Sequence, residues 1–256
     1  MMLQGKTVLV TGAGSGIGRG LCVRLAKEGA SGMTMVDISG GSMEETRALV
    51  LAAAPLLITN VVAADVADTA SLEAAFKSHV TKFGSLHACF NNAGVGERAD
   101  WRSVVDINLN AVIHGTRLAT RAMLDTGSAQ APGKPASTSP ASIVNVASAG
   151  GFFPMPMAPV YSATKAAVVL YSKSLAHLAQ KGVRVNALCP QFTDTALVSQ
   201  QMAGVGEAGA KKILAETGGG LLTVEQVGHL PLHVPHQLFT RSPSIVDLHH
   251  VLIYTG

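Results

Sequence analysis

A glycine-rich turn is the first place in this sequence where residue types and spacing point to chemistry. The run Thr11-Gly12-Ala13-Gly14-Ser15-Gly16-Ile17-Gly18 follows an apolar strand pattern and opens a helical one. Such a turn directs free backbone N–H groups and the positive helix end at one point, where a pyrophosphate can approach closely. Glycines that only allow tight strand–helix packing would give the same pattern. The predicted cofactor residues of the turn are Gly12, Ser15, Gly16, Ile17 and Gly18.

Asp37 supports the dinucleotide interpretation. It ends the second apolar run, 19 residues beyond Gly18, where a carboxylate can accept hydrogen bonds from the adenosine ribose hydroxyls. A 2′-phosphate in that place would be repelled by roughly 3 kcal/mol before screening, at about 5 Å and an effective dielectric near 20. The sequence therefore predicts NAD in preference to NADP. As an alternative, Asp37 caps the helix that follows.

These residues must be positioned by the elements around them. Short β-branched runs alternate with longer segments of helical spacing, as in repeated βαβ units. We predict an α/β fold: one doubly wound Rossmann-type domain over residues 1–256, with a seven-stranded parallel sheet and helices on both faces. The first helix runs from about Ile17 to Glu28. The predicted strands are Thr7–Val10, Met33–Asp37, Thr59–Ala64, Leu86–Asn91, Ser142–Ala147, Val183–Leu188 and His250–Tyr254.

Composition excludes several classes of protein. The 256 residues carry 19 basic and 16 acidic side chains with 48% hydrophobic residues, which is typical of a chain with a large core. The basic residues form no run, so nucleic acid is not expected as a partner. No apolar stretch is long enough to cross a bilayer, and no signal peptide precedes the first strand, so we expect no membrane and a cytoplasmic location.

Two further compositional features concern a loop and the possibility of a metal. The segment 126–140 is rich in Pro, Gly and Ser, which predicts a surface loop insertion, with a domain linker as the alternative. Three widely separated cysteines fit buried free thiols rather than disulfides. Five histidines lie near the C-terminus, but Pro231 and Pro235 break any helical ligand spacing between them. We therefore predict no metal site.

The order of motifs resembles the short-chain dehydrogenase/reductase family from residue 3 to about 225. The glycine spacing differs from the plain Rossmann fingerprint and is similar to that of this family. Within it, the runs Val104-Val105-Asp106-Ile107-Asn108-Leu109-Asn110 and Asp194-Thr195 are most similar to the subgroup around 15-hydroxyprostaglandin dehydrogenase. The other matching motifs are Asn91-Asn92-Ala93-Gly94, Ser148 and Tyr161-Ser162-Ala163-Thr164-Lys165.

The resemblance implies four catalytic residues. Judged alone, Tyr161 and Lys165 at i and i+4 are an ordinary pair on one helix face. Hydride transfer from an alcohol also needs a base for the hydroxyl proton, and an ammonium close by favours the phenolate of a tyrosine. Tyr161 is thus the expected base, assisted by Lys165. The resemblance implies that Ser148 binds the substrate oxygen and that Asn108 supports a water that relays protons to Lys165.

Further cofactor residues are implied by the same resemblance. It places Asp65 and Val66 beside the adenine, although Asp65 could equally cap the next helix. Tyr161 and Lys165 count among the cofactor residues as well as the catalytic ones. The remaining expected contacts are Asn91, Ala93, Gly94, Pro190 and, on the nicotinamide carboxamide, Thr195.

The expected substrate is a small lipophilic secondary alcohol or its ketone, because the positions that face substrate in this family are apolar here. Gln191 departs from the family, which usually has glycine after the proline, and would narrow the nicotinamide pocket. Alternatives are an NADPH-dependent carbonyl reductase and a cofactor-binding protein without turnover. The family commonly forms homodimers or homotetramers, which we expect here. The predicted substrate residues are Ser148, Gly150, Phe153, Met155, Tyr161, Gln191 and Leu197.

Overall fold

A parallel sheet forms the centre of the molecule. The computed structural model describes residues 3–129, 141–196, 198–199, 221–225 and 227, and the backbone of two strands near the C-terminus. Among these residues, the parallel strands are β1 (Thr7–Thr11), β2 (Gly32–Asp37), β3 (Ile58–Ala63), β4 (Ala88–Asn91), β5 (Ala141–Val146) and β6 (Val183–Pro190). Their spatial order is β3-β2-β1-β4-β5-β6. This is the order of a Rossmann fold, so the predicted architecture is confirmed at that level.

The prediction of seven parallel strands is wrong. The segment predicted at His250–Tyr254 forms β8 (Val251–Thr255), which pairs with β6 in the antiparallel direction. A further strand, β7 (Ser244–Asp247), pairs antiparallel with β8 at the sheet edge. Six parallel strands thus continue into an antiparallel pair. Alternation of apolar residues predicts that a strand exists but carries no information on its direction.

Helices cover both faces of the sheet. In β1, Val8 and Val10 belong to the core on one face, whereas Leu9 belongs to the core on the other. This follows from the two-residue period of a strand that is buried on both sides. The helices are α1 (Gly16–Lys27), α2 (Gly40–Ala53), α3 (Thr69–Phe83), α4 (Trp101–Val105), α5 (Ala111–Asp125) and α6 (Pro159–Ser174).

Two local features bear on the site. A π-helical turn, Asp106–Asn110, joins α4 to α5, and such turns are frequent at functional sites. Of the predicted loop insertion 126–140, residues 130–140 lie outside the described part of the chain. Within the described residues, no helix is both long and apolar enough to cross a membrane. Cys22, Cys89 and Cys189 are buried and free, as predicted.

The chain after β6 returns to the same end of the sheet. Thr193 forms a parallel bridge with Leu222, and the N–H groups of Asp194 and Leu222 donate to Leu222 and Phe192 carbonyls at 2.8 Å each. Beyond the bridge, Val224 lies against Gly20 of α1, where a Cβ would come within 2.0 Å of Val224 Cγ1. Residues 192–194 and 222–224 are therefore held against each other and against α1.

Candidate active site

A cleft of about 580 Å³ opens at the carboxyl ends of β1 and β4, where the strand order reverses. Ligands of open α/β sheets bind at this position, and the volume is in the range of cofactor sites, roughly 300–1,000 Å³. Most of the predicted cofactor residues line this cleft. They are Gly12, Ser15, Gly16, Ile17, Asp37, Asp65, Val66, Ala93, Gly94, Tyr161, Lys165 and Thr195.

The glycine turn is packed closely against the segments around it. Gly12 and Gly16 have positive φ angles of 66° and 48°, which side chains disfavour. A Cβ on Gly12 would lie 2.8 Å from the Cα of Ala93, and one on Gly18 would lie 1.9 Å from the Gly12 carbonyl oxygen. The glycines therefore let the end of β1, the segment after β4 and the start of α1 approach each other. Gly18 contributes by packing against Gly12 and does not line the cleft. Ser15 is the N-cap residue of α1 but makes no side-chain cap bond.

Asp37, which is expected on the adenosine side, lines the cleft. Its Oδ2 accepts the Gly14 N–H at 2.9 Å and its Oδ1 accepts the Ser39 N–H at 3.0 Å. Ser39, rather than Asp37, is the N-cap residue of α2. The helix-cap alternative is therefore not the arrangement found, and the carboxylate is fixed by backbone donors while it lines the cleft.

Asp65 lies next along the same wall. Its Oδ1 accepts the Ala67 N–H at 2.9 Å, whereas the N-cap residue of α3 is Asp68, whose side chain accepts from Ala70. The alternative in which Asp65 caps that helix is therefore not found. Asp65 and Val66 both line the cleft, in agreement with their expected place.

The two adjacent asparagines after β4 have different roles. Asn91 is buried and donates to Thr116 Oγ1 at 3.1 Å and to Asn145 Oδ1 at 2.8 Å. It does not reach the cleft. Asn92 does line it and donates to the carbonyls of Thr11 and Gly12 at 3.0 and 3.2 Å. The cleft wall therefore contains Asn92 and not Asn91, which is the residue predicted from the sequence.

Tyr161 and Lys165 face the cleft from the first turns of α6, one turn apart. Tyr161 is 8% and Lys165 4% exposed. The Lys165 Nζ lies 5.7 Å from the centre of the Tyr161 ring and donates to the Val146 carbonyl at 2.9 Å. The predicted pair is therefore assembled, with the ammonium held at the end of β5.

Burial dominates the electrostatics of this pair. It raises the pKa of the Tyr161 phenol, and a hydrogen bond with Ser148 acts in the opposite direction. Burial also lowers the pKa of Lys165 from 10.5 to about 8, against an opposing effect of Cys189. The sequence argument expected Lys165 to lower the Tyr161 pKa. In the protein alone, burial instead raises the Tyr161 pKa, so the phenol holds its proton at neutral pH.

Ser148 is placed beside Tyr161 by a short 3₁₀ turn, Ala149–Gly151, that follows β5. Its Oγ accepts the Gly150 N–H at 3.1 Å, so Ser148 caps this turn. The hydroxyl also bonds the Tyr161 phenol. The cap predicted as an alternative and the predicted position beside Tyr161 therefore occur together, because the Ser148 Oγ makes both contacts.

Asn108 lies in the π-helical turn and is fully buried. Its Oδ1 accepts the Val95 N–H and its Nδ2 donates to the Val95 carbonyl, each at 2.8 Å. A Cβ on Gly94 would lie 3.3 Å from Asn108 Oδ1 and 3.4 Å from Lys165 Nζ. Asn108 and Lys165 therefore meet beside Gly94, and the amide is satisfied by backbone groups.

Of the predicted substrate residues that the structure describes, only Tyr161 lines the main cleft. Phe153 and Met155 line a separate apolar groove of about 410 Å³ between residues 151–156 and α6. This groove adjoins Ser148, since a Cβ on Gly150 would lie 2.4 Å from Met155 Sδ and 3.5 Å from Ser148 Oγ. Pro190 is buried at the end of β6, and Gln191 is half-buried outside the cleft wall. Leu197 lies outside the described residues.

Several residues of the cleft wall had not been predicted. Asn92, Asp106 and Ile107 lie within the motifs quoted from the sequence, and most of the others lie near a motif, so a wider choice of residues around each motif could have found them. The described residues contain no cluster of three His, Cys, Asp or Glu side chains that could hold a metal. The added wall residues are Ile38, Ala64, Ala67, Asn92, Val95, Arg98, Ser103, Asp106, Ile107, Val146, Ala147 and Ala196.

Comparison with known proteins identifies the family. The model of the short chain dehydrogenase family matches residues 6–206. Together with the cleft and the Ser148, Tyr161 and Lys165 cluster, this match shows that the chain belongs to the short-chain dehydrogenase family. The chain is therefore an enzyme, an oxidoreductase of that family.

Two groups of relatives narrow the comparison. Human 15-hydroxyprostaglandin dehydrogenase [NAD(+)] is 36% identical over 201 residues, which cover 77% of this chain and 72% of the human enzyme. Levodione reductase of Leifsonia aquatica is 33% identical over 221 residues, or 82% and 78% of the two chains. The first similarity confirms the predicted subgroup, and the NAD(+) in that enzyme's name supports dependence on NAD.

Solved structures agree with this assignment. A crystal structure of levodione reductase matches with a TM-score of 0.79 and 30% identity, covering 89% of each chain. A 3-ketoacyl-(acyl-carrier-protein) reductase from Brucella melitensis, solved in complex with NADH, matches with a TM-score of 0.74 and 31% identity over 89% of each chain. These likenesses extend over most of the chain.

Proposed function

We propose that this enzyme oxidises a lipophilic secondary alcohol, or reduces its ketone, with NAD and with Tyr161 as the group that exchanges the proton. The observation that carries the proposal is the buried pair of Tyr161 and Lys165, with the half-buried Ser148 beside Tyr161, at the edge of the cleft. A protein that only binds a cofactor has no use for a base beside the site of the reaction.

The cleft fits a dinucleotide. Without Cβ atoms, Gly12, Gly14 and Gly16 pack closely against Ala93, Asp37 and Thr195, and the turn opens a twelve-residue helix whose positive end suits a pyrophosphate. Asp37 and Asp65 would hold the adenosine half, and Lys165 the ribose next to the nicotinamide. The fixed negative charge of Asp37 favours NAD over NADP. When bound, NAD accepts the hydride of the alcohol carbon.

The chain's own residues handle the oxygen and its proton. Ser148 hydrogen-bonds the substrate oxygen and orients it toward Tyr161. Tyr161 takes the hydroxyl proton in oxidation and returns it in reduction, because its phenol lines the cleft and can both accept and donate a proton. Lys165 supplies positive charge close to the ring and stabilises the phenolate. Asn108 holds the Val95 backbone and so fixes the segment beside Lys165.

The substrate is proposed to be apolar. The groove beside Ser148 is lined by Phe152, Phe153 and Met155, with no charged side chain in its wall. A polyol would leave hydroxyl groups without partners there, which costs affinity. Methionine and aromatic side chains accommodate varied apolar shapes instead.

A proposed oligomer follows from the outer face of α6. Leu170 is 65% exposed there, and Ala163 and Ala166 are exposed on the same helix. Covering this stripe with a second copy would remove apolar surface from water. We propose a homodimer or homotetramer formed through the helices that carry Asn108 and Tyr161. Light scattering should give a multiple of the 26.3 kDa chain mass.

A screen of secondary alcohols with NAD, followed by the absorbance of NADH, tests the proposed reaction. We expect turnover of apolar alcohols and little turnover of sugars. NAD binding without turnover of any alcohol, and without reduction of any ketone by NADH, would contradict the proposal. Turnover with NADPH but not with NADH would contradict the cofactor assignment alone.

A further inference from the structure

The N-terminus of α6, the helix that carries Tyr161 and Lys165, has no capping side chain of its own. Its N-cap residue is Ala158, which makes no side-chain cap bond, and its first residue is Pro159. Proline has no N–H group to donate. The first N–H groups that need a partner therefore belong to Val160 and to the proposed base, Tyr161.

Glu97 supplies that partner from a distant part of the sequence. Its Oε2 accepts the Tyr161 N–H at 2.8 Å, and its Oε1 accepts the Val160 N–H at 3.4 Å. The two elements are 64 residues apart along the chain. A carboxylate at this position also interacts favourably with the positive end of the helix dipole.

The segment that carries Glu97 is itself fixed to the site. Two residues earlier, both backbone polar groups of Val95 are bonded to Asn108 at 2.8 Å. Val95 and Arg98 line the cofactor cleft on either side of Glu97. The backbone that borders the cofactor is thus joined through Glu97 to the residue proposed to move the proton.

A second contact holds the same helix turn from the other side. The Ser162 hydroxyl donates to the Gly150 carbonyl and, at 3.1 Å, to the Phe153 carbonyl. The turn that contains Tyr161 is therefore tied to the serine segment by Ser162 and to the cofactor segment by Glu97. Loss of either tie frees the ring to shift relative to one of the two groups it must meet.

We propose that Glu97 is a positioning residue, which sets the place of the Tyr161 ring between the cofactor cleft and Ser148. The inference rests on the proposed function, because it assumes that Tyr161 exchanges the proton. A misplacement of about 1 Å at a reacting group can cost on the order of a hundredfold in rate. The effect of Glu97 therefore falls on kcat, with little effect on the binding of NAD.

The test compares Glu97→Ala, Glu97→Gln and a control, Asp68→Ala. Asp68 caps α3 in the same manner, since its carboxylate accepts from the Ala70 N–H at 3.1 Å. The control loses a helix cap without touching α6. The measurements are kcat, KM for alcohol, the dissociation constant of NADH, and hydrogen exchange of backbone amides in α6.

We expect Glu97→Ala to lower kcat by roughly tenfold or more, while the dissociation constant of NADH changes less than about threefold. The Gln variant keeps an oxygen acceptor and should recover most of the lost kcat. Asp68→Ala should keep the parent kcat. In Glu97→Ala alone, the amides of Val160 and Tyr161 should exchange faster.

Three outcomes would overturn the inference: a parent kcat in Glu97→Ala, an equal loss of kcat in Asp68→Ala, or a Gln variant as impaired as the Ala variant. Should Glu97→Ala fail to fold, the Gln variant still decides the matter, because it must fold and retain kcat. A parent protein without any turnover contradicts the proposed function instead. Amide exchange then still shows whether Glu97 caps the helix.

Discussion

The two ends of the site are built from different materials. The cofactor end is made of backbone: close-packed glycines, carboxylates held by N–H groups, and the carbonyls that Asn92 bonds. The proposed substrate end is lined by apolar side chains, of which Phe153 is 65% exposed. Backbone geometry tolerates few changes, whereas exposed side chains can be exchanged without strain. Substitutions should therefore have large effects at one end and small effects at the other.

Tyr161 lies between the two ends, and its substitution should have the largest effect. Tyr161→Phe should lower kcat by about 10²- to 10⁴-fold, because the ring still fills its site but exchanges no proton. Binding of NAD should persist, as calorimetry can show. Tyr171→Phe on the same helix is the matched control, since that hydroxyl donates only to the Ile113 carbonyl at 3.4 Å.

The same variant tests the direction of the pH dependence. Burial raises the pKa of Tyr161, so at neutral pH the phenol is protonated and ready to donate. Oxidation needs the deprotonated form, and kcat/KM for alcohols should therefore rise with pH, while ketone reduction falls. The rising limb should be absent from the residual activity of the Phe variant. A pH-independent oxidation rate in the parent would contradict the role of Tyr161.

At the cofactor end, Gly18→Ala should weaken NAD binding by about tenfold or more. The new Cβ would come within 1.9 Å of the Gly12 carbonyl oxygen, so the turn must move away from the phosphates. Gly41→Ala is the control, because nothing lies within 4 Å of its Cβ position and alanine suits a helix. Equal dissociation constants for NAD in the two variants would show that the turn does not bind the cofactor.

Asp37→Asn should narrow the preference for NAD over NADP, which we expect to be at least tenfold in the parent. The amide removes the charge and keeps one oxygen, which can accept the Gly14 N–H or the Ser39 N–H but not both. NADP should therefore bind more tightly and NAD slightly less so. Calorimetric titration of both cofactors measures the ratio. Equal affinities in the parent would contradict the charge argument.

The smallest effect is expected at the substrate end. Phe153→Ala should lower kcat/KM for apolar alcohols by only severalfold, because most of the side chain already lies in water. Polar alcohols should be unaffected. Leu56→Ala, at a side chain that is 95% exposed and far from the groove, should change neither. A loss as large as that of Tyr161→Phe would mean that Phe153 shapes the reacting geometry itself.

The same contrast explains what the sequence predicts well. The six parallel strands were placed within about two residues of their observed bounds, because a buried strand is recorded in consecutive apolar residues. The direction of β8 and the existence of β7 were not predicted. Both depend on pairing with strands that are distant in sequence, which no local pattern contains.

Within the candidate site, local motifs predicted the glycine turn of the cleft wall. They missed residues whose side chains bond to segments that are distant in sequence. The choice between Asn91 and Asn92 depends on which of two neighbours points to the core. Glu97 lies three residues beyond the Asn91–Gly94 motif, but its partner Tyr161 lies 64 residues away, and no local pattern joins the two. The Tyr161 pKa depends on burial, which becomes known only when the sheet and helices are packed.

The bridge between Thr193 and Leu222 brings together two points that are distant in the sequence. Thr193 and Leu222 lie side by side although they are 29 positions apart in the sequence, and Val224 packs against Gly20 of α1. A segment anchored in this way can be lengthened or replaced at an entropic cost of only about 0.6 kcal/mol per doubling of its length. Variation in the length of the chain between Thr193 and Leu222 should therefore cost the fold little stability.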